Sequence, residues 1–405
     1  MKCKKVAWIA SIISLGWLLI ACDLKIKQEI RDQPTSIPSI ANPNIIATPI
    51  ASTITTIPVV TPEVTPTFTQ SPSPEPTQTL TIVSSETSTN TPQPLHIFQS
   101  NQIRNDVAPV RYLVDECDYL KKRWSSTGSR PGTVVVPIMF HIVFQDGRTN
   151  SDPKEISESQ FLAFISYAKT LGFETITTDQ LIAFLEENDY IPPRAMIMIV
   201  DDRRPGVINN QFMPILEANN WTVTAAYIAD PNSLEWAWEW MEQLYQTGRV
   251  DVQSHGYTGQ LYITSLTPEE MIRKEIFDST PVLEEHFHQR PLAFIWPGGN
   301  FTSRAVQIAR QGGYKLGFTA YSRGPVMFNW IPLGDEEQQV NDPLMVLPRA
   351  WSNSANVNLD QAVSISNKAY EEAIRDYPSE SEWYRTYCGG ELPALDSIQS
   401  ATWPK

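Results

Sequence analysis

Ala195-Met196-Ile197-Met198-Ile199-Val200-Asp201-Asp202-Arg203 is the stretch whose reading decides the fold. An unbroken apolar run ends in two adjacent carboxylates, with Pro192-Pro193 just ahead of it. A run this short, rich in Ile and Val and bounded by proline, reads as a strand buried on both faces, as in parallel sheets. Its acids then fall at the C-terminal end, where the loops of parallel α/β folds converge on active sites. Strand neighbours point to opposite faces, so one carboxylate can hold a metal while the other handles a proton. A lone Asp-Asp serves equally well as a turn and helix cap, so its surroundings decide between the two.

Upstream, Val134-Val135-Val136-Pro137-Ile138-Met139-Phe140-His141 is a second apolar run, ending in a histidine, and reads as the opening strand. Between the two runs, helical spacing covers Ser157 to Thr170 and Thr178 to Glu187, with a short strand at Phe173 to Ile176. Downstream, Thr222 to Ile228, Val250 to His255, Leu292 to Trp296 and Leu316 to Ala320 read as strands. They alternate with helices at Gln211 to Asn219, Ser233 to Thr247, Thr267 to His288 and Thr302 to Gly312. This alternation predicts an α/β fold with a parallel sheet or barrel. The tail over 351–405 reads as helix near Leu359 to Tyr377, then a strap over the barrel. Trp236, Trp238 and Trp240 spread over more than one helix face, so core packing is their expected use ahead of sugar stacking.

Three segments follow from composition. Residues 1–22 open with basic Met1 to Lys5, continue as an apolar core over Val6 to Ile20 and end Leu19-Ile20-Ala21-Cys22. That ending resembles the bacterial lipobox and implies a signal peptide with lipidation at Cys22; the alternative is an uncleaved anchor helix. Both readings place the folded part outside the cytoplasm, tethered to the cell membrane. Residues 23–100 are dominated by Pro, Thr and Ser and cannot bury enough apolar surface to offset chain entropy, so they read as a linker. Residues 101–405 are the folded domain, with 351–405 as its C-terminal extension. The formal net charge of −14 argues against nucleic acid and anionic glycans as partners, and leaves neutral sugars open. Cys117 and Cys388 are the cysteines of the folded part, either a disulfide pair or two separately buried thiols.

In this order the pieces resemble the polysaccharide deacetylase (NodB-homology, carbohydrate esterase family 4) family. Pro137 to His141 resembles its opening strand, and Ile199-Val200-Asp201-Asp202 its Thr-Phe-Asp-Asp motif. Val252-Gln253-Ser254-His255 resembles its Ser-His-Thr-x-x-His motif. Phe294-Ile295-Trp296-Pro297-Gly298-Gly299, with Gly313-Tyr314 to Thr319 after it, resembles its Tyr-Pro-x-Gly motif and the segment following. Leu347-Pro348-Arg349 sits where a late Pro-Arg often stands. The resemblance implies a distorted (β/α)7 barrel and metal-assisted removal of N-acetyl groups from an amino-sugar polysaccharide of the cell wall or extracellular space. By position, Asp201 would be the general base, and Asp202 and His255 ligands to a divalent metal, zinc in the usual case. Trp296, Pro297, Gly298, Tyr257 and Arg349 would contact substrate.

The pattern also breaks. The family's second metal-binding histidine falls on Gly259, its Thr on Gly256, and the Gly expected after the acids is Arg203. A catalytic zinc normally has three protein ligands, and the matching positions retain two. His141, at the end of the first strand, is the candidate substitute; His286 and His288 read as solvated helix-end residues. Three functions follow: a tethered N-deacetylase, a catalytically impaired glycan-binding module on the same barrel, or a deacylase with altered substrate, since glycine replacements widen a pocket.

Overall fold

The structure, a computed structural model, describes residues 94–148, 152, 155–230 and 232–395. The leader, Cys22 and nearly all of the linker lie outside the described residues. Among the described residues no helix is long and apolar enough to cross a membrane.

The predicted parallel sheet is present. Its strands are β1 (Val134–Phe140), β2 (Arg194–Asp201), β3 (Val223–Tyr227), β4 (Val250–Ser254), β5 (Ala293–Ile295), β6 (Leu316–Phe318) and β7 (Ala350–Trp351), paired in the order β6-β5-β4-β3-β2-β1-β7, with the short expected strand at Glu174–Thr175 also pairing β2 off this path. Strand β2 pairs with β1 along its whole length, Val134 opposite Arg194 and Phe140 opposite Val200. The sheet curls until its two edges share one run of chain. Leu347 bridges Phe318 of β6, and four residues later Trp351 pairs with Met139 of β1. This is the α/β barrel architecture expected from the alternation, distorted where the closing run is short.

Both faces of the sheet are buried. Met196, Met198 and Val200 pack with Phe161, Phe164 and Phe212 on one side, while Ala195, Ile197 and Ile199 pack with Val326, Phe318 and Leu347 on the other. Helices α1 (Glu116–Arg123), α2 (Glu158–Thr170), α3 (Thr178–Glu187), α4 (Met213–Asn219), α5 (Glu235–Gln246), α6 (Glu269–Phe277), α7 (Ser279–Phe287), α8 (Ser303–Gln311) and α9 (Ala355–Tyr387) supply the cover. Capping fixes several starts: Ser157 with Gln160, and Thr177 with Gln180, form reciprocal capping boxes.

Two elements differ from expectation. The helix expected over Thr267 to His288 is a pair, α6 and α7, broken at Asp278, because Ser279 turns inward to bond the Ile276 carbonyl and the Ser254 hydroxyl. The tail helix is 33 residues long and ends at Tyr387, well past the expected end. Tertiary packing carries it on: Ala373 joins Tyr119, Leu120 and Trp124 in a small core, and Glu380 accepts from Trp124 Nε1 at 2.6 Å. Cys117 of α1 and Cys388, the C-cap of α9, form a disulfide that ties the tail to the start of the domain.

Candidate active site

The chemistry-bearing residues meet at the C-terminal ends of the strands. Asp201 is the last residue of β2 and is 2% exposed. Its Oδ1 accepts from Arg349 Nη1 at 2.6 Å, and its Oδ2 lies 3.7 Å from His141 Nε2. Burial pushes the Asp201 carboxyl up; Arg349, then His255 and His141, outweigh it and hold the group below the ordinary carboxylate value. Arg349 is itself aimed by the Thr319 carbonyl, which accepts from Nε at 2.7 Å. Thr319 is held in turn, its hydroxyl accepting at 3.1 Å from buried Arg323, which pairs with Glu337 at 2.6 Å.

Asp202 adopts a left-handed backbone, φ 69°, which ends the strand's pleat and turns this carboxylate toward β4. Its Oδ1 lies 3.8 Å from His255 Nε2, and its Oδ2 accepts from Arg204 Nη2 at 3.1 Å. His255 is buried, and its Nδ1 stands 2.8 Å from the Ile295 carbonyl oxygen. A carbonyl only accepts, so Nδ1 carries a proton and Nε2 is the nitrogen that faces Asp202. That is the preparation of a metal ligand.

An oxygen and an imidazole nitrogen at this separation fit two corners of a divalent-metal site. The third corner is not built. Among the described residues no three His, Cys, Asp or Glu donors that include Asp202 and His255 come within 4.8 Å of one another. The one such trio, His96 with Glu372 and Asp376, belongs to the N-terminal arm and α9, where both carboxylates pair with Arg375. The loop that would carry the second histidine is rebuilt around a buried acid. Glu275 of α6 accepts from Thr258 N at 3.0 Å, Thr258 Oγ1 at 2.9 Å and Gly259 N at 2.7 Å. Gly259 has φ 66°, and a Cβ there would lie 2.4 Å from the Ile228 side chain. A histidine there would adopt a left-handed backbone and would have to displace the Ile228 side chain.

Several expected contacts are corrected by the structure. Trp296 is 0% exposed, its Nε1 donating to the Met345 carbonyl at 2.8 Å, so it is core and cannot touch a sugar. Pro297 beside it is buried, and of this wall only Gly298 is open. Arg349 is spent on Asp201 and Thr319, so it acts through the base and not on substrate. Tyr257 packs against the core with Lys274 Nζ 4.6 Å from its ring centre. His141 faces Asp201 instead of joining Asp202 and His255. Its ring stacks on Trp351 at 5.5 Å, its Nδ1 is buried without a partner, and burial lowers its pKa against the pull of Asp201 and Asp202. Arg203 turns away to Ser233 and Asp230, and the cation that reaches Asp202 is Arg204, which the spacing did not single out. His286 stacks on buried Trp238 and pairs with Glu242, away from the site.

The family profile described as polysaccharide deacetylase matches residues 190–317, from the approach to β2 through most of β6. Over that stretch the chain is similar to the polysaccharide deacetylase family. It is similar to "Putative polysaccharide deacetylase YxkH" of Bacillus subtilis (strain 168), 22% identical over 186 residues. That match takes in 45% of this chain and 64% of the relative's length, so the chain spans under two thirds of it. Among solved structures it is similar to Streptococcus pyogenes deacetylase PplD, with TM-score 0.47, 19% identity, and 57% of this chain and 99% of that one covered. IcaB from Ammonifex degensii gives TM-score 0.45 and 20% identity, covering 59% and 98%.

Proposed function

We propose that this protein is an extracytoplasmic, membrane-tethered hydrolase that removes N-acetyl groups from an amino-sugar polymer. One observation carries the reading. Asp201, Asp202 and His255 converge at one end of the sheet, inside the stretch that the polysaccharide deacetylase profile matches, with His255 Nε2 facing the Asp202 carboxylate. Asp201, kept ionised by Arg349, takes a proton from the attacking water. Asp202 and His255 are the pair that would hold a divalent cation, with zinc suited to their donors, and its Lewis acidity would serve the amide carbonyl. His141, against Asp201, is placed to return a proton to the departing nitrogen. The acidic chain suits a polymer that gains amines as acetyl groups leave. The lipobox-like leader and the Cys117–Cys388 disulfide both support export to an oxidising compartment, anchored as a lipoprotein.

Acetate release from N-acetylglucosamine oligomers by the purified protein, with zinc, cobalt or nickel supplied, tests this. The expected result is release that chelator abolishes and Asp201→Asn removes. No acetate with any of the ions ends the reading.

The rebuilt loop around Glu275 favours a second reading, a glycan-binding module without turnover. It predicts saturable glycan binding that chelator leaves untouched.

A further inference from the structure

Two arginines follow the acids, and the turn that carries them sends each to a different partner. Pro205 disfavours helical backbone at Arg204, which takes φ −121°. Pro205 is itself buried, and Gly206 lies against α5, where a Cβ would stand 3.6 Å from the Trp240 ring. The turn is thus held from behind. From it Arg203 reaches Ser233 and Asp230, and Arg204 reaches Asp202. Among the described residues the Arg204 guanidinium has one hydrogen-bond partner, Asp202 Oδ2 at 3.1 Å, and its Nε is buried without one. The two oxygens of Asp202 therefore face different groups. Oδ1 stands 3.8 Å from His255 Nε2, and Oδ2 carries Arg204.

We infer that Arg204 competes with a divalent cation for Asp202, so that this arginine must leave the carboxylate before the site holds metal tightly. A full positive charge on one oxygen weakens the carboxylate's pull on a second cation. Both side chains are about two-thirds buried, so water and salt screen that opposition only in part. The arginine is placed to leave. Its side chain is 30% exposed, and a single hydrogen bond holds it to the acid. The arginine on the proposed base differs: Arg349 is 1% exposed and is held by both Asp201 and the Thr319 carbonyl. One acid thus has a fixed counter-ion and its neighbour a removable one. The inference rests on the proposed hydrolase reading for the place of the cation on Asp202 and His255.

The test measures zinc affinity by calorimetry and cobalt affinity by absorption on the full chain, freed of metal with chelator. The parent is compared with Arg204→Gln, Arg204→Met and Arg203→Gln, and Asp202→Asn is compared with and without Arg204→Gln. Thermal unfolding of each metal-free variant confirms the fold. Both substitutions of Arg204 are expected to tighten each metal at least about tenfold. The gain should disappear in the Asp202→Asn background, where the contested carboxylate is gone. Arg203→Gln removes the same charge one residue away and should leave affinity within about twofold of the parent. Folded Arg204 variants that bind no tighter than the parent overturn the inference, as does an equal gain in Arg203→Gln or a gain that survives Asp202→Asn. Acetate release by the parent with no gain in the Arg204 variants removes the competition and leaves the hydrolase standing. Tighter metal in those variants, with no acetate released by any of them or by the parent, sustains the competition and removes the hydrolase. Neither metal binding nor release overturns both.

Discussion

Asp201 and Arg349 form the pair on which the proposed base depends. Both are essentially removed from water, and each would be an isolated buried charge without the other. Arg349→Met is therefore expected to destabilise the fold by roughly 3–5 kcal/mol and to raise the Asp201 pKa, read by urea unfolding and by the acid limb of the rate profile. The same scale decides what cannot be repaired. Gly259→His restores the residue type the family resemblance calls for, yet it imposes a left-handed backbone costing roughly 1–2 kcal/mol and drives a side chain into Ile228. Zinc titration of this variant should show no gain in affinity over the parent, whereas His255→Ala should lose at least about tenfold. A tighter zinc complex in Gly259→His would mean that the loop adapts and that the Glu275 anchorage is weak.

Between residue and fold, the informative element is α6. Its Glu275 organises the loop after β4, and its Glu269 ties α6 to α8 through Arg304 at 2.7 Å. Glu275→Ala orphans two backbone amides and a hydroxyl and is expected to cost roughly 3 kcal/mol, with hydrogen exchange accelerated at Thr258 and Gly259; Glu275→Gln should cost less because one oxygen acceptor remains. Glu269 gives the pH test. Hydrogen bonds from Arg304 and Arg273 lower its pKa to about 2. A depressed carboxylate stabilises the fold above its unfolded value of 4.5 and loses that contribution as pH falls through about 2. The difference in thermal midpoint between the parent and Glu269→Gln should thus be present at neutral pH and vanish near pH 2.

Across the whole molecule, the disulfide and the long last helix tie the end of the domain to its start. The Cys117–Cys388 bridge spans 271 residues of sequence. Removing it as Cys117→Ser with Cys388→Ser should cost roughly 2–5 kcal/mol, most of it through the freedom returned to the unfolded chain, and lower the thermal midpoint by several degrees. An unchanged midpoint would show that the α1–α9 packing around Trp124 suffices. Closure of the sheet brings Arg349 to Asp201 from 148 residues away, through the run Leu347 to Trp351 that joins both sheet edges.

The sequence by itself determined the strands of the sheet other than Ala350–Trp351, their parallel character and the position of the two acids at a strand end, because periodicity and apolar runs are local properties of the chain. It also marked His255 and His141 as strand-end imidazoles and Gly259 as the break in the pattern. Tertiary structure alone decided which partner each group meets: Arg349 on the base, His141 beside Asp201 and not Asp202, Trp296 sealed in the core, and Glu275 in the loop that lacks its histidine. Those outcomes depend on how the curled sheet brings distant segments together, and side-chain burial and pairing across such distances leave no period in the sequence to read.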